Sequence, residues 1–344
     1  MMRMRVWALS ALGASLALLC ACALMVYVLD PYAHYHTVTL PLTDNPGYAA
    51  PGIARHYDYD TVLVGSSMIE NTAPSQIDTR LGGQSIKIAM RGGTATDHAR
   101  VLDVCFDTHV LSRVIYCMDP TSFTARAGDV AHEYPAYLWN GVGLDDVEYL
   151  LNGSVLLDKT TAARRYERLL AGYATDRDTM YTWTDVTFSR ENAINSYNWH
   201  AQRYEMKPAD YFADRFAENL DQCVIRFVQA HPETAFTFYF PPYSVIYWIL
   251  QSDAGNLETQ LWMREQFASA LLAYENVTVY DFAAYTPWIL DLDRYMDYSH
   301  HDARMNAQII DAIADGEHRV ISAEDVATAN DVIRQEVAAF ERPQ

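Results

Sequence analysis

Positive charge is scarce in this sequence. Its 344 residues include 25 lysines and arginines against 44 aspartates and glutamates, so the formal net charge is −19. Proteins that bind nucleic acid neutralise phosphates with a basic surface. The charge balance therefore excludes nucleic acid as a partner, and it is compatible with a domain that lies outside a cell.

Cysteine is also scarce, and its spacing suits no disulfide framework. Cys20 and Cys22 lie inside a long apolar run, and the other three cysteines, Cys105, Cys117 and Cys223, stand far apart in apolar surroundings. An odd number of widely spaced cysteines predicts buried thiols. It argues against a small secreted fold that depends on disulfides.

Motifs for metals and phosphate-bearing cofactors are missing. The nearest approach to a metal site is His34-Tyr35-His36, which has no cysteine or carboxylate cluster beside it, whereas metal sites combine several such ligands. No glycine-rich loop of the phosphate-binding type occurs. The sequence therefore predicts neither a metal nor a cofactor.

One long apolar run stands near the N-terminus. Residues 6–29 carry no charged side chain, and a helix of that length crosses a bilayer. A cleaved signal peptide is the alternative, but its apolar core is usually about 7–15 residues long. Arg3 and Arg5 precede the run, and basic flanks favour the cytoplasmic side. We therefore predict a cytoplasmic tail over residues 1–5, a single-pass anchor in the cell membrane over 6–29, and an extracellular domain.

The most informative stretch is Thr61-Val62-Leu63-Val64-Gly65-Ser66-Ser67-Met68. Its apolar residues do not alternate with polar ones, which predicts a strand buried on both faces of a parallel sheet. Ligands of open α/β sheets bind at the carboxyl ends of the strands, and this strand ends at two serines. A turn with a serine helix cap is the alternative explanation.

Further strands are predicted at residues 85–90, 113–118, 234–240 and 277–282, with helices between them. Such alternation predicts a parallel sheet with right-handed crossovers, so every strand ends on the same edge as Ser67. The predicted fold class is α/β. We expect a three-layer α/β/α domain with a parallel five-stranded, flavodoxin-like sheet, preceded by one N-terminal transmembrane helix.

The helices are predicted at residues 95–110, 211–230, 244–273 and 303–314. Pro241-Pro242-Tyr243-Ser244 follows the fourth strand. Because this segment is short and broken by proline, it is not expected to span a membrane. It is predicted to form a loop at the edge of the site and to lead into a buried helix.

A late motif, Asp297-Tyr298-Ser299-His300-His301, supplies what a nucleophilic serine needs. A serine is activated by a base, and the base is oriented by a carboxylate. An aspartate three residues before a histidine can supply both groups from one loop. His300 is the predicted base, and His301 is the alternative base or a residue at a helix N-terminus.

The order of these motifs resembles the SGNH (GDSL-type) superfamily of hydrolases and acyltransferases. Gly-Ser-Ser at residues 65–67 resembles the family's Gly-Asp-Ser block with the aspartate replaced, and residues 297–300 resemble its Asp-x-x-His block. The Gly-Ser-Ser form is similar to the membrane-anchored bacterial branch that includes the D-alanyl-lipoteichoic-acid biosynthesis protein and the alginate-acetylation proteins. The resemblance implies that Ser67 is the nucleophile, His300 the base and Asp297 its partner.

The resemblance also implies donors for a tetrahedral oxyanion. The backbone N–H of Ser67 is one, and Gly92 matches the glycine of the family's second block, with Gly93 as a one-residue alternative. The family's third donor is an asparagine in a Gly-x-Asn-Asp block. Met118 occupies that position here and cannot donate, which lowers the expected esterase activity.

Three further residues are predicted to contact the catalytic residues without taking part in the reaction themselves. Ser66 and Ser67 are neighbouring serines, and only the family alignment identifies Ser67 rather than Ser66 as the nucleophile. Asp119 follows the third strand and either orients the site or caps the next turn. His301 is the third, if it is not the base.

The resemblance implies an extracytoplasmic, membrane-anchored serine esterase or O-acyltransferase acting on envelope polysaccharide or teichoic acid. Its implied partners are the membrane, through the N-terminal helix, and a membrane-bound O-acyltransferase. The alternative is a catalytically weak SGNH-like scaffold or carbohydrate-binding partner of such an acyltransferase. The missing asparagine favours that alternative.

The domain boundaries follow from these motifs. We predict a juxtamembrane segment over residues 30–57, an SGNH-like domain over 58–315 and a C-terminal helix over 316–344. An insertion at about 121–208, rich in tryptophan and tyrosine, interrupts the alternation of strands and helices. It is either a lid or substrate platform, or a helical layer that completes the core.

Overall fold

The computed structural model describes residues 2–38, 43, 45–157, 170, 176–184 and 186–343. These residues belong to two compact units. The first draws on Met1–Tyr57 and Glu133–Asp176, and the second on Asp58–His132 and Arg177–Gln344. Parts of the predicted insertion, residues 158–169, 171–175 and 185, lie outside the described residues. The predicted boundaries of the domain and its insertion stay a prediction.

The first unit begins with a long helix, Met2–Leu29. Within it, Arg3–Leu29 has a mean hydropathy of 2.4 and is long and apolar enough to cross a membrane, as predicted. The unit continues with the helix Pro46–His56, whose N-terminus is capped by Asn45, and with two short helices, Val147–Leu150 and Gly153–Leu157.

The second unit is built on one sheet. Its strands are β1 (Thr61–Gly65), β2 (Ser85–Ala89), β3 (Arg113–Cys117), β4 (Ala235–Phe240), β5 (Val277–Asp281) and β6 (Arg319–Val320). The spatial order is β2-β1-β3-β4-β5-β6, and the first five strands pair in parallel. Every residue of β1 is buried, as expected for a strand covered on both faces. The predicted α/β class is confirmed, and the sheet is mostly parallel rather than wholly so.

The number of strands differs from the prediction of five. The sixth strand, β6, pairs antiparallel with β5 through two residue pairs. It lies in the segment that was predicted to be wholly helical after residue 316. The helix there spans Ala323–Ala339. A strand of two residues carries too little periodicity to be recognised in a sequence.

Helices connect the strands of the second unit, and several begin at a polar cap. Thr94, Ser244 and Asp302 each accept a backbone N–H from the first turn of their helices, as N-cap side chains do. The helices of at least eight residues are Pro74–Leu81, Ala95–Thr108, Ala213–Leu220, Val245–Asp253, Leu257–Leu271, Ala303–Asp315 and Ala323–Ala339. Shorter helices are Arg190–Asn195, Arg226–Ala230 and Thr286–Ile289.

Candidate active site

Ser67 lies directly beyond the carboxyl end of β1. Ser66 follows the last strand residue and caps a short 3₁₀ turn, Ser67–Ile69, by accepting the backbone N–H of Met68 at 3.3 Å. The turn lifts the Ser67 side chain out of the sheet. It therefore reaches the edge where parallel α/β sheets bind their ligands.

Ser67, His300 and Asp297 form a hydrogen-bonded chain. Ser67 Oγ lies 2.7 Å from His300 Nε2, and His300 Nδ1 lies 2.7 Å from Asp297 Oδ2. Because the Nδ1–H of His300 donates a hydrogen bond to Asp297, Nε2 is left unprotonated and accepts the hydrogen bond of the serine hydroxyl. The structure thus brings together the three residues that the sequence predicted, in the geometry of a nucleophile, a base and an orienting carboxylate.

Asp297 is held by the loop that carries it. Its Oδ1 accepts the backbone N–H groups of Ser299 at 2.7 Å and His300 at 2.8 Å. Burial alone raises the pKa of this carboxyl, but the hydrogen bonds from the His300 ring and from the two N–H groups outweigh it. The pKa of Asp297 therefore lies below its usual value, and the side chain is charged at neutral pH.

His301, the alternative base, belongs to the core. It is buried, and its ring contacts Tyr295 edge-on with centroids 6.3 Å apart. Burial lowers the pKa of His301 to about 4, so the ring is neutral. Of the two adjacent histidines, His300 is the one that contacts the Ser67 hydroxyl.

The two glycines after β2 differ in what their N–H groups do. Gly93 donates to Met90 O at 2.9 Å, and a Cβ on Gly93 would lie 2.9 Å from that same oxygen. Gly92 has φ +59°, a conformation that favours glycine, and both glycines line the pocket beside Ser67. Because the N–H of Gly93 is already bonded to Met90, Gly92 is the better placed of the two as an oxyanion donor. Met118 is buried and cannot serve as a third donor.

Asp119 bonds to side chains of the site rather than capping the turn that follows it. Its side chain makes no cap to that turn. Instead its carboxylate accepts the hydroxyl of Tyr243 and a hydrogen bond from Ser66. Burial raises the pKa of Asp119 above its usual value in spite of these two hydrogen bonds.

Sequence reasoning missed a second group of residues around His300. The Trp183 ring meets the His300 ring edge to face, with centroids 5.0 Å apart. Trp183 Nε1 donates to Glu70 Oε2 at 2.7 Å, and its backbone N–H donates to Asn71 Oδ1 at 3.0 Å. Glu70 is fully buried and is paired by Arg91 through two hydrogen bonds of 2.6 and 2.8 Å.

These contacts tie the base to the nucleophile turn. Glu70 and Asn71 follow Ser67 by three and four residues, and Trp183 bridges from them to the ring of His300. A tryptophan more than 100 residues away in the chain gives no local signal of such a contact. Only the aromatic character of the predicted insertion pointed in this direction.

Ser67 lines a pocket of about 340 Å³. Two stacked tyrosines, Tyr243 and Tyr247, form part of its wall with ring centroids 3.9 Å apart. Most of the lining side chains carry hydroxyl or amide groups. Besides Ser67, Gly92, Asp119 and His300, the lining includes Thr94, Thr121, Ser122, Gln251, Tyr298 and Ser299.

Metal ligation has no candidate among the described residues, where no group of three His, Cys, Asp or Glu side chains is arranged to hold an ion. His34, the first histidine of the segment His34-Tyr35-His36, instead contacts Asp146 Oδ1 through Nε2 at 2.9 Å within the first unit.

No family model matches the chain, and no curated protein matches it at a significant level. The functional interpretation therefore rests on the geometry of the residues themselves.

Proposed function

We propose that this chain is a serine esterase or O-acyltransferase in which Ser67 is the nucleophile, His300 the general base and Asp297 its orienting partner. The observation that carries the proposal is the pair of 2.7 Å contacts that joins these three side chains. A serine paired with a carboxylate-oriented histidine is the arrangement that activates a hydroxyl for acyl transfer.

In the proposed mechanism, His300 Nε2 takes the proton as Ser67 Oγ attacks the carbonyl carbon of an ester. The Ser67 and Gly92 N–H groups stabilise the oxyanion, a contribution of about 3–4 kcal/mol per donor in well-studied enzymes. The imidazolium then protonates the leaving alcohol, and the acyl group remains on Ser67. Water or an acceptor alcohol, deprotonated by His300, removes it.

The pocket favours an uncharged glycan over teichoic acid as the acyl carrier. Among the described residues that line it, none is a lysine or arginine, the side chains that bind phosphate. Its hydroxyl, amide and tyrosine groups instead suit the hydroxyls and faces of a sugar. The net charge of −19 further disfavours a polyphosphate substrate.

The setting we propose is the outer side of a cell membrane, with the N-terminal helix as the anchor. Arg3 and Arg5 lie at the start of that helix, before its uncharged run, and an acidic chain follows it. The order of the five parallel strands agrees with a flavodoxin-like sheet of the SGNH type. Together these features support the proposed kinship with membrane-anchored SGNH proteins, and the proposed membrane-bound O-acyltransferase partner rests on that kinship alone.

The experiment that tests the proposal is active-site labelling of the folded, full-length protein with a fluorophosphonate, followed by peptide mapping. We expect one phosphonylated residue, Ser67, and release of the ester-linked acyl group from an acetylated neutral polysaccharide but not from an acylated teichoic acid. A protein that binds a glycan without labelling or turnover would instead support the scaffold alternative.

The Trp183 contact leads to a separate prediction for a positioning residue. Trp183→Phe keeps a ring against His300 but removes the hydrogen bond to Glu70. We expect kcat to fall at least about tenfold, because a hydrogen bond to a charged group contributes about 1.5–3 kcal/mol and about 1.4 kcal/mol is tenfold in rate, with KM unchanged. Steady-state kinetics on a soluble ester measures both constants.

Trp199→Phe is the matched control. Trp199 Nε1 also donates a hydrogen bond, to Ile194 O at 2.9 Å, and its ring stacks on Phe340. Trp199→Phe therefore also loses an indole hydrogen bond, here to a backbone carbonyl, without contacting the catalytic histidine. Equal kinetic effects of the two substitutions would show that Trp183 has only a structural role.

A further inference from the structure

The last turn of the N-terminal helix is anchored in the first unit. Val26 is 1% exposed, whereas most of the helix before it is exposed. It packs in a small core with Tyr137, Tyr149 and Val155. The segment that contains these three residues is therefore attached within about one turn of the helix end at Leu29.

Asp30 fixes the chain where the helix ends. It is buried, and its carboxylate accepts the backbone N–H groups of His34, Tyr35 and His36 and the hydroxyl of Tyr149. Four hydrogen bonds on one carboxylate make this junction a defined structure rather than a loose linker. The position of the first unit is thus coupled to the end of the apolar helix.

The attached segment presents apolar side chains to solvent. Leu144 is 99% exposed and Leu157 is 76% exposed. Val142, Val147 and Leu151 are exposed as well. We name these five residues the interfacial patch. Several large apolar residues left exposed in one short segment mark an interaction surface.

Aromatic residues surround the same junction. Tyr27 is half exposed on the helix, and Tyr35 packs against it with ring centroids 4.9 Å apart. Tyr32 and Tyr48 stack on one another beside them, and Trp139 is partly buried against the same core. Tyrosine and tryptophan are enriched where a membrane-spanning helix leaves the bilayer.

We propose that the interfacial patch inserts into the headgroup region of the membrane that holds the N-terminal helix. The occupant is the lipid bilayer, because the segment that carries the patch packs through Tyr149 and Val155 on the end of a helix long and apolar enough to span one. Apolar side chains at that level bury in the boundary between headgroups and acyl chains. The first unit would then rest on the membrane instead of standing off it on a flexible stalk.

The test places an environment-sensitive fluorophore on single cysteines of the full chain in lipid vesicles of phosphatidylethanolamine and phosphatidylglycerol. The background carries Cys20→Ser and Cys22→Ser, since the other three cysteines are buried. We expect the emission of labels at Leu144→Cys and Leu157→Cys to shift to the blue and to be quenched by spin-labelled lipid. Iodide in the buffer should quench these labels several-fold less than labels at exposed positions of the second unit.

The controls are Val110→Cys and Ile321→Cys, two exposed apolar positions in the second unit, and Leu24→Cys as a marker of the membrane helix. Patch labels as open to iodide as the Val110 label would overturn the proposal. So would protection that rises with the protein-to-lipid ratio, because a second copy of the chain would then be the cover. If iodide quenched the Leu24 label, the N-terminal helix would not lie in a bilayer, and the proposal would be overturned.

Discussion

Ser67→Ala is expected to lower ester turnover by about 10⁴-fold or more, since removing a catalytic serine leaves only binding and oxyanion stabilisation. The Ser67 hydroxyl is the group that contacts His300 Nε2, at 2.7 Å. Without it, His300 has no nucleophile to deprotonate. The variant should also lose all reaction with a fluorophosphonate, which needs the same oxygen.

Ser66→Ala is the control that makes this result specific. Ser66 is one residue away, but its hydroxyl caps the turn and bonds Asp119 rather than His300. Losing a cap costs about 1 kcal/mol, which is less than tenfold in rate even if it were expressed wholly in the transition state. The Ser66→Ala protein should therefore still be labelled, at Ser67.

The measurements are the initial rate on a soluble ester and the mass of the labelled protein, with thermal unfolding to show that both variants are folded. If Ser66→Ala abolishes labelling and Ser67→Ala does not, the nucleophile has been assigned to the wrong serine. If neither variant changes a measurable turnover, the catalytic centre lies elsewhere.

The sheet and the triad were accessible to sequence reasoning for different reasons. An apolar run without alternation identifies a buried strand, and the edge where such strands end is common to all of them. The strand ends account for the position of Ser67, but the expectation that it would meet the Asp297–His300 pair, 233 residues from Ser67 to His300, came from the resemblance to the SGNH motif order. The hydrogen-bond geometry itself could not be read from spacing.

Local breaks in the helices were harder to foresee. Residues 244–273 were expected to form one helix, but the structure has two, Val245–Asp253 and Leu257–Leu271. Gly255 adopts φ +72° between them, a conformation that interrupts a right-handed helix. A single glycine within an apolar helical pattern does not announce this outcome, because glycine also occurs inside continuous helices.

The support around His300 escaped prediction because it depends on tertiary contacts. Glu70 and Arg91 are 21 residues apart, and Trp183 reaches Glu70 from 113 residues away. Each residue alone has an ordinary explanation on the surface or in the core. A buried carboxylate with an arginine and a tryptophan indole as partners becomes informative only when its distance to the triad is known.

Asp297→Asn is expected to lower turnover by about 10⁴-fold while leaving the fold intact, as replacing the equivalent carboxylate does in serine proteases. Asp297 Oδ2 accepts a hydrogen bond from the Nδ1–H of His300. An asparagine amide in that place can present N–H to the ring and so favour the tautomer with the proton on Nε2. The ring would then donate to Ser67 rather than accept from it, and base catalysis would stop.

The control is Asp311→Asn, which removes a charged carboxyl on an exposed ion pair with Arg80. Surface ion pairs contribute about 0–1 kcal/mol to stability, so this variant should keep nearly the full rate. The loss in Asp297→Asn should appear equally in turnover and in the rate of fluorophosphonate labelling, because both need the activated Ser67 oxygen. A labelling rate within tenfold of the parent protein would mean that Asp297 does not set the tautomer of His300. The proposed three-residue mechanism would then reduce to a serine and a histidine whose orientation depends on other contacts, foremost the edge of Trp183.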